Sequence, residues 1–416
     1  MYKKIEFSEK FPLYTKFDPL VPVRCITPDI EGCIHRFFDS SPISPSGRFV
    51  GLTSLRDETH PPLPGDLADI VLVDLETGEQ RIIAETAAFG TQLGAQVQWG
   101  LSDDELYYNE MNVTDWTPYA VRINPLTGGK TKLDGTIYMI SPDGKTLASP
   151  CLRRTELTQG GYGVSVPIGH LPLNSHASEQ DGLYLTDTET GSTSVQVSYR
   201  QIVEKFPIYN NPPYTGGAFY GFHVKWNLQS SRLMFIIRYR LLSGGKNWEM
   251  PTEIFTMNRD GSNLKLAMQM LKNGHHPTWC PDGEYITQNR IMDDGQMHFV
   301  RYRYDGKNLE ILSSKIGSGH PTLHPDNKHL VTDAYVYDSL SFGDGTTPLR
   351  LIDISTDKEL TLARIRTKPN VEGTLRVLRI DPHPAWDRTH KYIVFNACPE
   401  GKRKVFIADM SKLLAE

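Results

Sequence analysis

The sequence has neither a long apolar run nor a block of basic residues. None of its hydrophobic stretches approaches the run of about 18 residues that a membrane-spanning helix requires. Lysine and arginine total 44 against 49 aspartates and glutamates, for a net charge of −5, so the chain lacks the electropositive surface of a nucleic-acid-binding protein. Composition therefore predicts neither a membrane nor a nucleic-acid partner.

Cysteine is scarce as well. The five cysteines are odd in number and irregularly spaced, which does not describe a disulfide framework. A single disulfide between Cys25 and Cys33 is the alternative to five free thiols, but reduced thiols are the default inside cells. The first residues are basic but lack the apolar segment of a signal peptide. We expect a cytoplasmic protein, or a periplasmic one if a signal peptide has been trimmed.

A repeated phrase organises the chain. Residues 276–285 read His-Pro-Thr-Trp-Cys-Pro-Asp-Gly-Glu-Tyr, and related phrases recur at 320–329 and 383–392. An apolar stretch, a polar turn and a second apolar run describe an antiparallel hairpin. Weaker copies, which bring the count to seven, are marked by their turns at 44–47, 102–104, 141–144 and 229–231.

A second phrase, an apolar strand closed by a polar turn, alternates with the first and also occurs seven times. Two hairpins per unit predict an all-β fold, a seven-bladed β-propeller with four-stranded antiparallel blades. The last unit stops after its third strand, so we expect the segment 21–26 to complete it and close the ring. Residues 1–37 would form an N-terminal segment that contributes this strand, and residues 38–416 a single-domain propeller, monomeric or weakly oligomeric.

Three connecting segments stand out from the repeats. Residues 35–38, His-Arg-Phe-Phe, are placed to plug or line the central funnel. The long insertion 152–180 holds Arg153 and the Gly-Gly-Tyr-Gly sequence around Tyr162, which suggests a backbone held close to a ligand while the tyrosine projects. The aromatic connection 201–221, with Tyr220, is either a stacking platform for sugar rings or the packed cap of the funnel.

Histidine recurs at one position of the first phrase. Four consecutive blades carry it three residues before the Trp or Leu of the phrase: His223, His276, His320 and His383. The first strand of each propeller blade lines the channel, so these imidazoles would form a ring within reach of one cation. Imidazole is the commonest metal ligand at neutral pH, and Asp381 adds a carboxylate on the same side of an extended strand. The sequence thus predicts a divalent metal site.

A plainer interpretation stands beside this one. A histidine next to proline in a strand is commonly a hydrogen-bonded core residue, and duplication would repeat it for packing alone. The arginines near the same mouth, Arg238, Arg240 and Arg379, are similarly either salt-bridged edge residues or cations that grip a substrate carboxylate.

The blade count and the histidines resemble the seven-bladed β-propeller polysaccharide lyases, namely the oligogalacturonate lyases and the ulvan-lyase-type propellers. For the oligogalacturonate lyases the resemblance implies that His320 and His383 bind Mn²⁺, that His276 is the base, and that Arg238 or Arg240 is the catalytic arginine. The sequence departs from their Gln-x-x-His-Pro-His-Pro run. Asp381 replaces its first histidine, and a leucine at 378 replaces its glutamine.

The ulvan-lyase-type propellers use a histidine pair together with a tyrosine and an arginine. Tyr162 resembles that tyrosine. The histidine pair would fall near Gln96 and Trp116, where this chain has no histidine. The resemblance to the oligogalacturonate lyases is therefore the stronger one.

These observations predict a lyase that cleaves uronate-containing, anionic oligosaccharides by β-elimination, with Mn, Zn or Ca in the channel. The expected metal ligands are His276, His320, Asp381 and His383. The expected catalytic residues are Tyr162, His223, His276 and Arg238. The expected substrate-binding residues are Arg153, Arg240, Tyr220 and Gln96. The alternative is a non-catalytic propeller, a carbohydrate-binding or protein-interaction scaffold whose channel metal is structural.

Overall fold

The computed structural model describes residues 5–242, 250–269, 273–371 and 376–414. These residues form seven four-stranded antiparallel sheets, and within each sheet the strands pair in sequence order except where the chain ends meet. The predicted seven-bladed β-propeller is confirmed. Among the described residues, no helix is long and apolar enough to cross a membrane.

The first strand along the chain, β1 (Val23–Cys25), belongs to the last blade. The strands of blades one to three are β2 (Cys33–Ile34), β3 (Phe49–Leu55), β4 (Ala68–Asp74), β5 (Gln80–Thr86), β6 (Gln98–Trp99), β7 (Leu106–Asn112), β8 (Thr117–Ile123), β9 (Lys130–Leu133), β10 (Met139–Ile140), β11 (Thr146–Ser149), β12 (Gly182–Asp187) and β13 (Thr193–Ser198).

The remaining four blades follow the same plan, with longer strands in blade four. Their strands are β14 (Gly217–Trp226), β15 (Arg232–Leu241), β16 (Thr252–Asn258), β17 (Lys265–Gln269), β18 (Gly274–Trp279), β19 (Tyr285–Ile291), β20 (Met297–Arg303), β21 (Glu310–Ile316), β22 (Thr322–Leu323), β23 (His329–Thr332), β24 (Thr346–Asp353), β25 (Lys358–Arg366), β26 (Ala385–Trp386), β27 (Tyr392–Ala397) and β28 (Lys404–Asp409).

The two ends of the chain close the ring together. Strand β1 pairs antiparallel with β28, so that Val23 lies opposite Ala408 and Cys25 opposite Phe406. This pairing confirms the closure predicted for the segment 21–26 and completes the last blade as a four-stranded sheet. The domain boundary at residue 37 stays a prediction, since β2 precedes it and pairs with β3.

Burial follows the position of a strand within its blade. The middle strands β3 and β4 are buried along their whole length because neighbouring blades cover both of their faces. The outermost strand β21 is mostly exposed. All five cysteines are free thiols.

Short helices occupy the two long connections: α1 (Leu152–Thr155), α2 (Tyr199–Lys205), and 3-10 turns at Ile168–His170 and Pro207–Asn210. A further 3-10 turn, Arg376–Leu378, precedes the last blade. Helix α2 begins at a capping box formed by Ser198 and Gln201. In the second connection, Tyr209 and Tyr214 are buried and donate hydrogen bonds to the Glu253 carboxylate. This aromatic connection is therefore a packed cap over blade four, and none of its residues lines the channel cavity.

Candidate active site

One mouth of the channel opens into a cavity of about 550 Å³. All four predicted catalytic residues line it: Tyr162, His223, Arg238 and His276. Arg379, Tyr335 and Tyr337 line it as well. The insertion, blades four to six and the segment before blade seven thus converge on one space.

His320 is held by a single carboxylate. Its backbone N–H donates to Asp333 Oδ1 at 2.6 Å, and its ring Nδ1 lies 3.0 Å from both oxygens of Asp333. Because an ionised carboxylate only accepts, Nδ1 carries the ring proton and Nε2 keeps its lone pair. Among the described residues, the buried Nε2 has no hydrogen-bond partner. This is the arrangement in which a carboxylate orients an imidazole toward a metal.

Asp381 and His383 lie together before β26, and an arginine links them to the insertion. Arg379 Nε donates to Asp381 Oδ2 and its Nη2 to the Tyr162 hydroxyl, each at 2.8 Å. His383 Nε2 is 3.8 Å from the same Asp381 oxygen. Burial opposes the charge of Arg379, yet the Asp381 carboxylate raises the pKa of that guanidinium overall. Both ring nitrogens of His383 are buried without a hydrogen-bond partner in the described part of the chain.

His276 lies beside the His320 ring, with centroids 3.9 Å apart and near-parallel planes. Its Nδ1 is 2.7 Å from the Gly319 carbonyl oxygen, which fixes the proton on Nδ1 and leaves Nε2 as an acceptor. The Tyr335 hydroxyl lies beside the same ring, 3.1 Å from Nδ1 and 3.3 Å from Nε2. Burial holds the pKa of His276 well below its usual range, so the ring is neutral at pH 7.

The backbone at two of these histidines is left-handed, with φ of 55° at His276 and 50° at His383. The pairing of β18 with β19 shifts register between His275 and Thr278, where this conformation interrupts the ladder. Such backbone costs on the order of 1–3 kcal/mol in a non-glycine residue and tends to cluster at functional sites. Such strain is expected where the backbone turns to direct a side chain, here that of His276 or His383, into the channel.

Arg238 is a half-buried cation whose hydrogen bonds go to neutral acceptors. Its Nη1 donates to the Thr158 carbonyl at 3.0 Å and to Gln159 Oε1 at 2.9 Å, and its guanidinium stacks 3.7 Å from the Phe222 ring centroid. Among the described residues, no carboxylate forms an ion pair with it. Burial lowers the pKa of Arg238 to about 10, which still leaves it charged at neutral pH. The cavity therefore holds a positive charge that has no counter-ion in the part of the chain that the structure describes.

His223 lines the same cavity as Arg238 but carries no charge. Its Nδ1 bonds the Tyr138 hydroxyl, and its ring centroid lies 5.6 Å from that of Tyr162. Burial, together with the charges of Lys225 and Arg238, holds the pKa of His223 well below its usual range. The ring is therefore neutral.

The predicted plug is present. The Phe37 ring lies 4.7 Å from that of His383 and 5.8 Å from that of His320, while Phe38 lies 5.1 Å from His320. Both phenylalanines are buried. They seal the channel beneath the histidines, which gives the cavity a closed, apolar floor and raises the strength of electrostatic interactions within it.

One group in this part of the chain fits a metal ion. The side-chain ligand atoms of His320, Asp381 and His383 all lie within 4.8 Å of one another, and all three residues are buried. The unpartnered imidazole nitrogens of His320 and His383 can donate lone pairs to a metal ion. A set of two imidazoles and one carboxylate suits a transition metal such as Mn²⁺ or Zn²⁺ better than Ca²⁺. His276, predicted as a fourth ligand, is outside this group as the structure describes it.

The structure places the four predicted substrate-binding residues away from the cavity lining of the described chain. Gln96 is buried, and its Oε1 accepts from Arg36 Nε at 2.9 Å. Tyr220 is buried, and its hydroxyl accepts from the Asn174 backbone N–H. Arg153 donates to the His170 carbonyl within the insertion. Arg240 lies two residues beyond Arg238 on β15 and is not among the residues that line the cavity.

Two residues at the site were missed by sequence reasoning, Asp333 and Tyr335. A signal for Asp333 was present in the hairpin register. Thr322 pairs with Val331 across the turn, and extending that register by two residues places His320 opposite Asp333. No comparable pattern marks Tyr335, which lies in the connection after β23.

No family model and no curated protein matches the chain. Among solved structures, an oligogalacturonate lyase in complex with manganese superposes with a TM-score of 0.67 at 15% identity, covering 98% of this chain and 97% of the other. An oligogalacturonate lyase from Vibrio parahaemolyticus gives a TM-score of 0.63 at 16% identity, with 96% of each chain covered. The likeness confirms the predicted resemblance at the level of the fold.

Proposed function

We propose that this protein is a lyase that cleaves uronate-containing oligosaccharides by β-elimination, with a divalent metal ion at His320, Asp381 and His383. The observation that carries the proposal is the placement of Arg238, a cation with no carboxylate partner among the described residues, in the same cavity as the neutral ring of His276. An anionic substrate supplies the missing negative charge. The fold shared with oligogalacturonate lyases supports this choice.

The residues present fit a metal ion in this group. His320 Nε2 and the nitrogens of His383 are buried and unpartnered in the described part of the chain, and Asp333 holds the His320 ring in the tautomer that a ligand needs. When bound, the ion would act as a Lewis acid toward a carboxylate.

The basic side chains would orient the substrate. Arg238 would pair with the uronate carboxylate and thereby favour the enolate-like charge that develops when the neighbouring proton is removed. Arg379, already paired with Asp381, would hold Tyr162 toward the sugar through its 2.8 Å hydrogen bond. The sealed floor beneath the histidines excludes water from that side.

His276 is the base that the geometry favours. With its proton on Nδ1 and held by the Gly319 carbonyl, His276 keeps on Nε2 the lone pair that would take the proton at C5 of the uronate. The electron pair of that C–H bond forms the C4–C5 double bond as the C4–O bond breaks. Tyr162 would donate its hydroxyl proton to the departing oxygen, which leaves an unsaturated uronate and a new hydroxyl end.

The test is incubation of the Mn²⁺-loaded protein with galacturonate oligomers and other uronate polymers, read by the ultraviolet absorbance of the unsaturated product. A rising absorbance that His276→Gln abolishes supports the proposal. Cleavage without absorbance would indicate hydrolysis. No cleavage of any uronate polymer, with the metal bound, would leave the alternative of a carbohydrate-binding or protein-interaction scaffold with a structural ion.

We further propose that the protein acts in the cytoplasm, as a monomer or weak homo-oligomer, on oligosaccharides that earlier cleavage has released. Cell fractionation and light scattering of the purified chain test these two points.

A further inference from the structure

A second group of possible metal ligands lies at the opposite mouth of the channel, in the turn between β22 and β23. His324 Nδ1 is 2.9 Å from Asp326 Oδ2, and His329 Nδ1 is 2.6 Å from the same oxygen. The ligand atoms of the three residues all lie within 4.8 Å of one another. The His324 ring packs 5.1 Å from that of Trp386, which lines the depression at this mouth. The group is therefore separate from the channel histidines.

The propeller itself provides comparison turns. In all seven blades the same backbone hydrogen bond joins the two residues that flank the turn. The flanking pairs are Ser44 and Phe49, Gly100 and Glu105, Ser141 and Thr146, Asn227 and Arg232, Cys280 and Tyr285, His324 and His329, and Asp387 and Tyr392. Within this set of described turns, blade six alone has an imidazole at both positions.

Closing the turn does not require these imidazoles. In blades one and three, Ser44 Oγ and Ser141 Oγ accept a hydrogen bond from the backbone N–H of the second flanking residue. A small hydroxyl therefore performs the capping that the first position needs. The turn of blade six could close without its two histidines, so capping does not explain why both imidazoles are present.

The electrostatics of the group favour a bound cation. The Asp326 backbone N–H donates to His324 Nδ1 at 3.2 Å, which requires a lone pair on that nitrogen. That nitrogen then faces the Asp326 carboxylate at 2.9 Å, so two acceptors are in contact. A cation bound by both groups would remove the repulsion between the His324 Nδ1 lone pair and the Asp326 carboxylate. The side chains are 16% to 31% exposed, so an ion from solution can reach them.

We propose that His324, Asp326 and His329 form a binding site for a divalent transition-metal ion, with Zn²⁺ as the representative case. Two imidazole nitrogens and one carboxylate oxygen are ligands that Zn²⁺ prefers, whereas Ca²⁺ and Mg²⁺ favour oxygen ligands alone. Tetrahedral bonds of about 2.0–2.2 Å place ligand atoms roughly 3.4 Å apart, so the group needs shifts below about 1 Å to close on the ion. Water completes the coordination.

The test is titration of the metal-free full-length protein with Zn²⁺ against a chromophoric chelator, which gives both stoichiometry and Kd. The variant is His324→Ser with His329→Tyr, because both replacements occur at these positions in sister blades and preserve the turn. We expect wild type to bind one more equivalent of Zn²⁺ than this variant. We also expect Asp326→Asn to weaken that equivalent at least tenfold.

Two controls make the result specific. His60→Gln removes a partly exposed histidine that lies 3.4 Å from Asp57 but lacks a second imidazole, and it should leave stoichiometry and Kd unchanged. His320→Ala should remove the channel equivalent and keep this one. Equal stoichiometry in wild type and the double variant, with Kd values within threefold, would overturn the site whatever the channel binds. An anomalous X-ray signal at the turn of wild-type crystals grown with Zn²⁺ supports it, and its absence there counts against it.

Discussion

The Asp333 carboxylate receives both the backbone N–H and the ring Nδ1 of His320, and it also lies 3.3 Å from the backbone nitrogen of His383. One side chain thereby fixes the position of two neighbouring blades and the tautomer of a proposed metal ligand. The carboxylate is 1% exposed, so water does not substitute for it.

Replacing Asp333 by asparagine should weaken Mn²⁺ binding by roughly 10- to 100-fold, because the amide can donate to Nδ1 and stabilise the wrong tautomer of His320. Isothermal titration calorimetry gives the affinity. The matched control is Asp353→Asn in the outer turn of the same blade, where the carboxylate only caps Ser355 and Thr356. An unchanged Mn²⁺ affinity in Asp333→Asn would show that Asp333 does not orient the His320 ring for the metal.

The variant His276→Gln should lower kcat by about 10²- to 10⁴-fold, the usual contribution of a general base, while Mn²⁺ affinity stays within a few-fold of wild type. Turnover of galacturonate oligomers and metal titration measure the two effects. Loss of the metal in this variant would instead make His276 a ligand, as the sequence first suggested.

The variant Arg238→Gln should raise KM for uronate oligomers at least tenfold, since a buried charge-assisted pair with the carboxylate contributes roughly 1.5–3 kcal/mol. Competition with neutral, carboxyl-esterified oligomers provides the control, because their binding should change little. An equal loss for both substrates would mean that Arg238 supports the cavity wall through Gln159 and Phe222 alone.

The stability of the cap over blade four should depend on Glu253. Burial raises the pKa of its carboxyl group from 4.5 to about 7. The folded state then binds more protons than the unfolded state between these values, so its stability falls as pH rises through that window, by about 3 kcal/mol in total. Glu253→Gln lacks this titration. Urea denaturation at about pH 5 and pH 8 measures the free energy of unfolding of both proteins. The free energy of unfolding of the variant should rise relative to that of wild type between the two pH values, and a constant difference between them would refute the raised pKa of Glu253.

Truncation of the plug, Phe37→Ala, should destabilise the protein by about 3–5 kcal/mol, because the ring is fully buried and the surrounding imidazoles cannot collapse into the space. Leu63→Ala, at a side chain that is 61% exposed, is the control and should change stability little. Denaturant midpoints measure both. Equal effects would show that the channel floor repacks.

The repeat predicted the blades because hairpin signals are local. A polar turn flanked by apolar runs specifies two strands wherever it occurs, and equivalence between the repeats places the histidines on one ring. His223, His276, His320 and His383 were brought together by that argument alone, and three of the four lie against Phe37 within 6 Å.

The substrate-binding predictions depended on contacts between distant segments. Gln96 occupies the ring position of its blade, but Arg36 from the N-terminal segment accounts for its hydrogen bond. Arg240 shares a face of β15 with Arg238, since alternate residues of a strand point the same way. Of the two, Arg238 alone lines the cavity, and the periodicity of the strand does not encode that difference.

The N-terminal segment also reaches the last blade. His35 donates its backbone N–H to Asn396 Oδ1 at 3.0 Å, and its ring lies 3.4 Å from the Pro382 carbonyl oxygen. During translation the plug therefore leaves the ribosome early and Asp381 and His383 leave it late. A chain that ended before residue 381 would hold the floor of the channel without Asp381 and His383, so loading of the proposed metal site would be a late event of biosynthesis that requires a completed ring.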